Sequence, residues 1–399
     1  MVFEFPFVVL GGIILIGFVG NLLFKYTKIP EALFLIILGL LIGPVFGIID
    51  PNLAVTLMPT IAALMLIVVM LDNGISFDLF KVMKSLPSTI VFSLGIMTAT
   101  AVGIAIIFMY LGFSWITAGI IGLILSGTTT DVITILTSKM SIKKEVKQLL
   151  VFESIVNDFQ IIPFFILLHL AENSSSQITT SIILSLVGIP AAIIAGALIA
   201  VLWLFAIGKY LGKHPLNYAA TIGILFVLYH SVQLLGGNGA ISVLAFSFVL
   251  GNAIGLFDRW HIKDGLRAKL TPKILKDFRQ IEFDISFFVR VIFFVFLGTV
   301  FSFSALHFNT ALTAFTVITV ILIIRFAVSC YATKHRHYKG AVGPLTWISP
   351  RGYVAAVLAF AAAGSGILIN GSLDMILLVI YATTIMSIFY SIYYERRRK

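Results

Sequence analysis

Thirteen apolar runs of helical length, separated by short polar connections, occupy almost the whole of this chain. They lie at roughly 5–24, 32–49, 59–76, 87–111, 115–137, 148–170, 179–207, 217–235, 239–256, 283–303, 309–333, 344–366 and 373–394. A run of about 20 apolar residues crosses the hydrocarbon of a bilayer as an α-helix, whereas a membrane β-strand needs only about 10, alternating in character. The runs here are continuous. They predict an all-α polytopic membrane protein with about 13 transmembrane helices. Composition agrees: of 399 residues, 60% are hydrophobic and 11% charged, with a mean hydropathy of +1.10. A soluble domain of this length cannot cover so much apolar surface. The single cysteine, Cys330, excludes a disulfide framework and a cysteine-built metal site. The first run, Val2 to Phe24, has no basic region before it and reads as a full span rather than a cleavable leader.

A net charge of +10 would suit a nucleic-acid partner, but its distribution assigns it elsewhere. Of 27 Lys and Arg residues, 24 follow odd-numbered runs, and none lies in a connection after an even-numbered run. The other three, Arg290, Arg325 and Arg351, lie inside runs. The positive-inside rule then places the N-terminus outside and the C-terminus in the cytoplasm. The charge is a topology signal that also favours contact with anionic membrane lipids. Neither a nucleic-acid partner nor a soluble domain is expected. The longest connection, Asp258 to Gln280, is basic and fits a helix lying along the membrane surface.

Two runs are interrupted near mid-depth. The fifth contains "LSGTTTDVI", Leu125 to Ile133, and the twelfth contains "ISPRGYV", Ile348 to Val354. Proline removes a backbone donor, and glycine and threonine loosen or re-satisfy the local helix. Irregular backbone at this depth is tolerated only where it is buried in protein or lines a wet cavity. The fifth and twelfth runs are seven apart, and an odd offset makes them antiparallel. Runs 1–6 and 8–13 are thus expected to form an inverted repeat, with the seventh as connector. Paired broken helices in matching halves point to a secondary-transporter site.

The sixth run carries the chemistry, in "VFESIVNDFQII", Val151 to Ile162. Ser154 and Asp158 are four residues apart and share a helix face, with Glu153 and Asn157 beside them. Burying one carboxylate at the bilayer centre costs roughly 3 kcal/mol on insertion scales. Such a group persists when paired, protonated or bound to a cation. The cations available are Arg351 at the break in the twelfth run and Arg325 in the eleventh; Asp131 at the first break is a further acid. The simplest arrangement pairs Glu153 with Arg351 and leaves Asp158 free. That carboxyl then holds a proton or a small cation, but not readily both. Hydroxyls of Ser154 and the threonines, the Asn157 amide and carbonyls freed around Thr129 and Thr130 are oxygen ligands suited to a hard cation. Asp72, near the inner end of the third run, is either a second cation contact or a satisfied interfacial acid. His169, His230 and His307 lack metal-ligand spacing.

At these residues the sequence resembles a known family. "FESIVND" is similar to the glutamate–serine–x–x–asparagine–aspartate motif of NhaP-type sodium/proton antiporters, the electroneutral branch of the monovalent cation:proton antiporters. "TTTD" resembles that family's fifth-helix break, "SPRGYVAAVLA" its twelfth-helix arginine–glycine stretch, and "FFVRVIFFVFLG" its tenth helix. The resemblance implies a 13-helix fold with a mobile core and a dimerisation part. On this sequence these fall at approximately 87–170 and 309–394, with adjacent helices, and at 1–76 and 179–256. It makes Asp158 the shared cation and proton acid, supported by Ser154, Asn157, Asp131, Thr129 and Thr130, with Asp72 at the site entrance. Transported sodium would be held by Asp158, Ser154 and Thr130. Glu153 with Arg351 would be the stabilising ion pair, and Arg325 matches a buried arginine of the eleventh helix. Asn157, where electrogenic relatives carry a second aspartate, implies one cation for one proton. Two positions depart from the pattern: Val132 follows Asp131, and Phe326 follows Arg325, where the family commonly has proline.

The expected protein is therefore a homodimeric, non-enzymatic antiporter in a prokaryotic plasma membrane, serving pH homeostasis. It exchanges sodium or lithium for protons without a cofactor. The rival within transport is potassium/proton exchange. A channel or membrane-embedded sensor is the rival from another class, weakened by the lack of an evident selectivity loop. An intramembrane enzyme has no nucleophile–base or metal-ligand pattern behind it.

Overall fold

The computed structural model describes residues 11–20, 22, 31–76, 86–173, 178–207, 217–253, 255–256, 272–301, 307–334, 338–368 and 371–397. It describes their side chains except at 31–33, 51–52, 76, 86–90, 131, 139, 158–160, 162–173, 178–186 and 272–283. These residues form helices and no strand. In chain order they are α1 (Gly11–Gly20), α2 (Glu31–Leu40), α3 (Pro51–Ser76), α4 (Leu86–Tyr110), α5 (Trp115–Ile124), α6 (Thr130–Lys139), α7 (Lys144–Asn173) and α8 (Ile178–Ala206). Then follow α9 (Asn217–Leu234), α10 (Gly239–Gly251), α11 (Pro272–Val300), α12 (Phe308–Ala332), α13 (Val342–Trp347), α14 (Tyr353–Gly364) and α15 (Ser372–Arg396). A π-helical turn, Leu41–Val45, extends α2.

Among the described residues, five helices are long and apolar enough to cross a membrane, within α3, α4, α8, α12 and α15. The shorter apolar helices include α5 and α14, which are halves of the two interrupted runs. Ends are set locally. Ser114 caps α5 by accepting the Thr117 amide at 3.1 Å, and Asn238 caps α10 by accepting that of Ile241 at 2.9 Å. Both satisfy amides that a helix N-terminus leaves without partners.

Two elements differ from the sequence expectation. Helix α3 begins at Pro51 rather than near residue 59. Proline suits the first helical position, where its missing N–H is not needed, and the interior Pro59 is accommodated within the helix. The connection 258–280 is not wholly a separate surface helix: from Pro272 it is continuous with the tenth run as the 29-residue α11. Residues 258–271 lie outside the described residues. Nothing between Lys273 and Asp284 breaks a helix, so the backbone continues from the basic segment into the apolar one.

The chain divides into two compact units. One comprises Met1–Ala62, Ser88–Glu172 and Arg290–Lys399. In it α2 and α11 meet backbone to backbone at Gly39 and Gly298; a Cβ on Gly39 would run into the Val295 carbonyl and lie 2.9 Å from Gly298 Cα. Such small-residue contacts let membrane helices approach closely where no hydrophobic effect drives them together. The same unit holds a core in which Phe92 and Ile96 of α4, Ile133 and Leu136 of α6 and Leu149 and Leu150 of α7 pack together. Leu345 of α13 and Ile388 of α15 complete it. This core clamps the half-helices α6 and α13, and so fixes the broken segments beside them. The second unit comprises Ala63–Pro87 and Asn173–Val289. There Gly196 of α8 lies against the Ser242 carbonyl of α10, and Gly74 of α3 against Ser247.

Candidate functional site

The chain leaves helical geometry between α5 and α6, at residues 125–129, and between α13 and α14, at residues 348–352. Thr129 is extended, with φ −94° and ψ 130°, and Gly352 is neither helical nor in regular strand geometry, with φ −144° and ψ −148°. The two segments touch. The Thr129 amide donates to the Pro350 carbonyl at 3.0 Å, and the Gly352 Cα faces the Thr129 side chain so closely that a Cβ at 352 would collide with Thr129 Cβ. Glycine at 352 is required by this approach, not by its φ. Arg351, Thr128, Thr129, Ser349 and Ser126 are all buried.

Backbone groups released by the breaks are satisfied by hydroxyls of α15. Ser387 Oγ accepts the Ser349 amide at 3.1 Å and donates to the Trp347 carbonyl at 3.0 Å. Thr383 Oγ1 accepts the Arg351 amide at 3.1 Å, and Thr384 Oγ1 donates to the Arg351 carbonyl at 3.0 Å. An unsatisfied backbone group in hydrocarbon costs several kcal/mol, so these three side chains are what permit an extended segment at this depth. The pattern Thr383–Thr384–x–x–Ser387 in an otherwise apolar run was a readable signal, because residues four apart share a face.

Helix α7 brings its polar stripe to the crossing. The Asn157 carbonyl accepts Ser93 Oγ of α4 at 2.7 Å, and its amide donates to Thr128 Oγ1 at 3.2 Å. Asn157 is thereby held on both sides as a neutral bridge between α4, α7 and the first break. A lone serine such as Ser93 gave no sequence signal. Ser154 is fully buried and donates to the Val151 carbonyl of its own helix at 2.8 Å, which leaves its oxygen lone pairs available as a ligand.

The buried ion pair differs from the expected one. Glu153 pairs with Arg325, not with Arg351. Arg325 Nη1 and Nη2 donate to the two carboxylate oxygens at 2.6 and 2.9 Å, and both residues are fully buried. Arg325 also donates from Nε to the Leu345 carbonyl at 2.9 Å and from Nη2 to the Ile348 carbonyl at 3.3 Å. These carbonyls belong to the C-terminal end of α13, where a helix leaves acceptors unused. The planar guanidinium thus meets a carboxylate on one edge and a helix end on the other, a match lysine cannot make. Arg351 is equally buried, yet none of its three side-chain nitrogens has a hydrogen-bond partner among the described residues. It interacts electrostatically with both Arg325 and Glu153.

Of the other expected site residues, Thr129 sits in the crossing with a buried hydroxyl that has no partner among the described residues, and Thr130 opens α6. The side chains of Asp131 and Asp158 lie outside the described residues; their backbones fall in the first turn of α6 and within α7. Asp72 is half-buried near the end of α3 and belongs to the second unit.

Two helices broken at touching, buried segments, beside a helix rich in polar groups, define the secondary-transporter class. A family model described as sodium/hydrogen exchanger, transmembrane, matches residues 12–392. The chain belongs to the sodium/hydrogen exchanger family. Its fold is similar to that of the sodium proton antiporter MjNhaP1 from Methanocaldococcus jannaschii at pH 8. The TM-score is 0.74 and the identity 22%, over 99% of this chain and 97% of that one. A structure of the same antiporter from an electron-microscopy map matches at a TM-score of 0.72 and 21% identity, over 98% of this chain and 95% of that one. Comparison with curated proteins found no match.

Proposed function

We propose that this protein exchanges sodium or lithium for protons, one for one, with Asp158 as the group that the two ions occupy in turn. The observation that carries the reading is the bidentate Glu153–Arg325 pair. It consumes both oxygens of the other acid in "FESIVND", so Asp158 is the carboxyl of that motif left to bind and release ions. Asn157 supports the one-for-one count, because it stands beside Asp158 in sequence as a hydrogen-bonded amide rather than a second acid. Ser154, Thr129 and Thr130 supply oxygen ligands for the cation, with the Thr129 hydroxyl still unused among the described residues. Asp131 shapes the break. Alternating access follows if the part at approximately 87–170 and 309–394 moves while the part at 1–76 and 179–256 holds a homodimer. The charge pattern supports a plasma-membrane protein with its N-terminus outside and its C-terminus in the cytoplasm.

The test is flux through purified full-length protein in liposomes with a trapped pH dye. Sodium and lithium should each drive proton movement, potassium should not, and an imposed membrane potential should leave the rate unchanged. Asp158→Asn should abolish exchange while the protein still purifies folded. Full exchange by that variant rules Asp158 out as the carrier, and flux driven equally by potassium assigns the protein to the potassium/proton class.

A further inference from the structure

Three segments meet at one end of the first unit. The connection from α6 to α7, residues 140–143, donates its Ser141 amide to Glu395 Oε1, near the end of α15. It also lays Lys143 Nζ against the Lys339 carbonyl, at 3.3 Å, in the connection from α12 to α13. Beneath these contacts Met140 and Ala341, one from each connection, are buried in a single apolar core, with Tyr390 and Tyr394 of α15 packed against it. Each connection adjoins a half-helix of an interrupted run, α6 in one case and α13 in the other.

This scaffold gathers basic side chains from distant parts of the sequence. Lys143, Lys144, Lys339, Arg396 and Arg397 are exposed, and Lys147 is half-buried. None of these six has an ion-pair partner among the described residues. The acids at the same end are Glu145 and Glu395, and Glu395 is engaged by the Ser141 amide. A concentration of unpaired like charge attracts an anionic partner. The aromatic residues indicate which. Trp347 is 41% and Tyr393 58% exposed, and Trp347 stacks on Tyr390 with 6.1 Å between ring centroids. Exposed Trp and Tyr at helix ends mark the headgroup level of a bilayer. The patch therefore lies at the depth of phospholipid phosphates.

We propose that this patch is a binding site for the headgroup of an anionic phospholipid. Lys144, Lys339, Arg396 and Arg397 supply charged donors for its phosphate. A lipid seated there spans both connections and the end of α15, and so braces the ends of the half-helices α6 and α13 from outside. These residues converge only in the folded chain, so the bound lipid stabilises the native state.

The experiment is thermal unfolding of the purified full-length protein in an uncharged detergent, titrated with phosphatidylglycerol, phosphatidylcholine or inorganic phosphate. Phosphatidylglycerol should raise the melting temperature of wild type, and the other two should not. The variant Lys144→Gln/Lys339→Gln/Arg396→Gln/Arg397→Gln should need at least roughly a hundredfold more phosphatidylglycerol for the same shift, since each basic residue near an anionic headgroup contributes roughly a factor of five. If that variant does not purify folded, Arg396→Gln/Arg397→Gln takes its place, with a loss of roughly twentyfold expected. Lys209→Gln/Lys213→Gln, in the basic connection between α8 and α9, should respond as wild type does. Each shift is read against the same protein without lipid, so a change in basal stability does not alter the result. The proposal is overturned if phosphatidylglycerol leaves wild type unchanged, if phosphatidylcholine or inorganic phosphate acts equally, or if the patch variant keeps the wild-type response. Equal loss in Lys209→Gln/Lys213→Gln would assign the effect to net charge and overturns it too. No ion flux enters the measurement, so its failure is distinct from failure of the exchange reading.

Discussion

Both carboxylate oxygens of Glu153 are occupied by the fork of Arg325, at 2.6 and 2.9 Å, with no solvent on either residue. The pair joins α7 to α12, and through the Leu345 and Ile348 carbonyls it ties both to the half-helix α13. It is a structural strut at the edge of the crossing, and its removal has a characteristic asymmetry.

Glu153→Ala or Arg325→Ala alone leaves a lone buried charge, and each should lower stability by about 3–5 kcal/mol. Glu153→Leu with Arg325→Met removes both charges at similar volume and should lose far less. Arg325→Lys should not rescue, because an ammonium cannot bind two oxygens and two carbonyls in one plane. Thermal unfolding in detergent, followed by size-exclusion recovery, measures this. Equal damage from the single and double variants would show that packing, not charge, dominates there.

Gly352→Ala should destabilise the crossing by about 1–3 kcal/mol through overpacking. The nearest atom to the added methyl is Thr129 Cβ. Thr129→Ala therefore should not relieve the variant, whereas Thr129→Gly should. Melting temperatures of the three proteins are the readout, and relief by Thr129→Ala would mean that the hydroxyl or methyl of Thr129 is the obstacle.

Thr383→Val keeps the shape of the side chain and removes the acceptor of the Arg351 amide. Ser387→Ala removes the partner of both the Ser349 amide and the Trp347 carbonyl. Each leaves buried backbone groups unmatched and should cost about 1–3 kcal/mol per group, with Ser387→Ala the worse of the two. Amide hydrogen exchange in the 348–352 segment should rise in both. Unchanged protection would mean that water replaces the hydroxyls.

The broken helices were legible because glycine, proline and clustered threonines interrupt apolar runs, and the backbone leaves helical geometry at those residues, 125–129 and 348–352. The hydroxyls on α15 left a trace in spacing, at Thr383, Thr384 and Ser387, whereas Ser93 left none. Its role depends on α4 lying against α7, and no local pattern encodes that.

Periodicity and charge distribution along the chain were enough for the helical membrane class, for the two breaks and for the need of a buried acid in α7 to find an arginine. These follow from local rules: apolar runs must span, and carboxylates in hydrocarbon must be compensated. Which arginine compensates Glu153 was decided by tertiary structure alone. Arg325 and Arg351 lie 172 and 198 residues away along the chain, and their order in sequence carries no distance information. Packing of α12 against α13 turns the guanidinium of Arg325 toward Glu153, while the extended backbone at 348–352 holds Arg351 by its main chain and leaves its side-chain donors unmatched among the described residues.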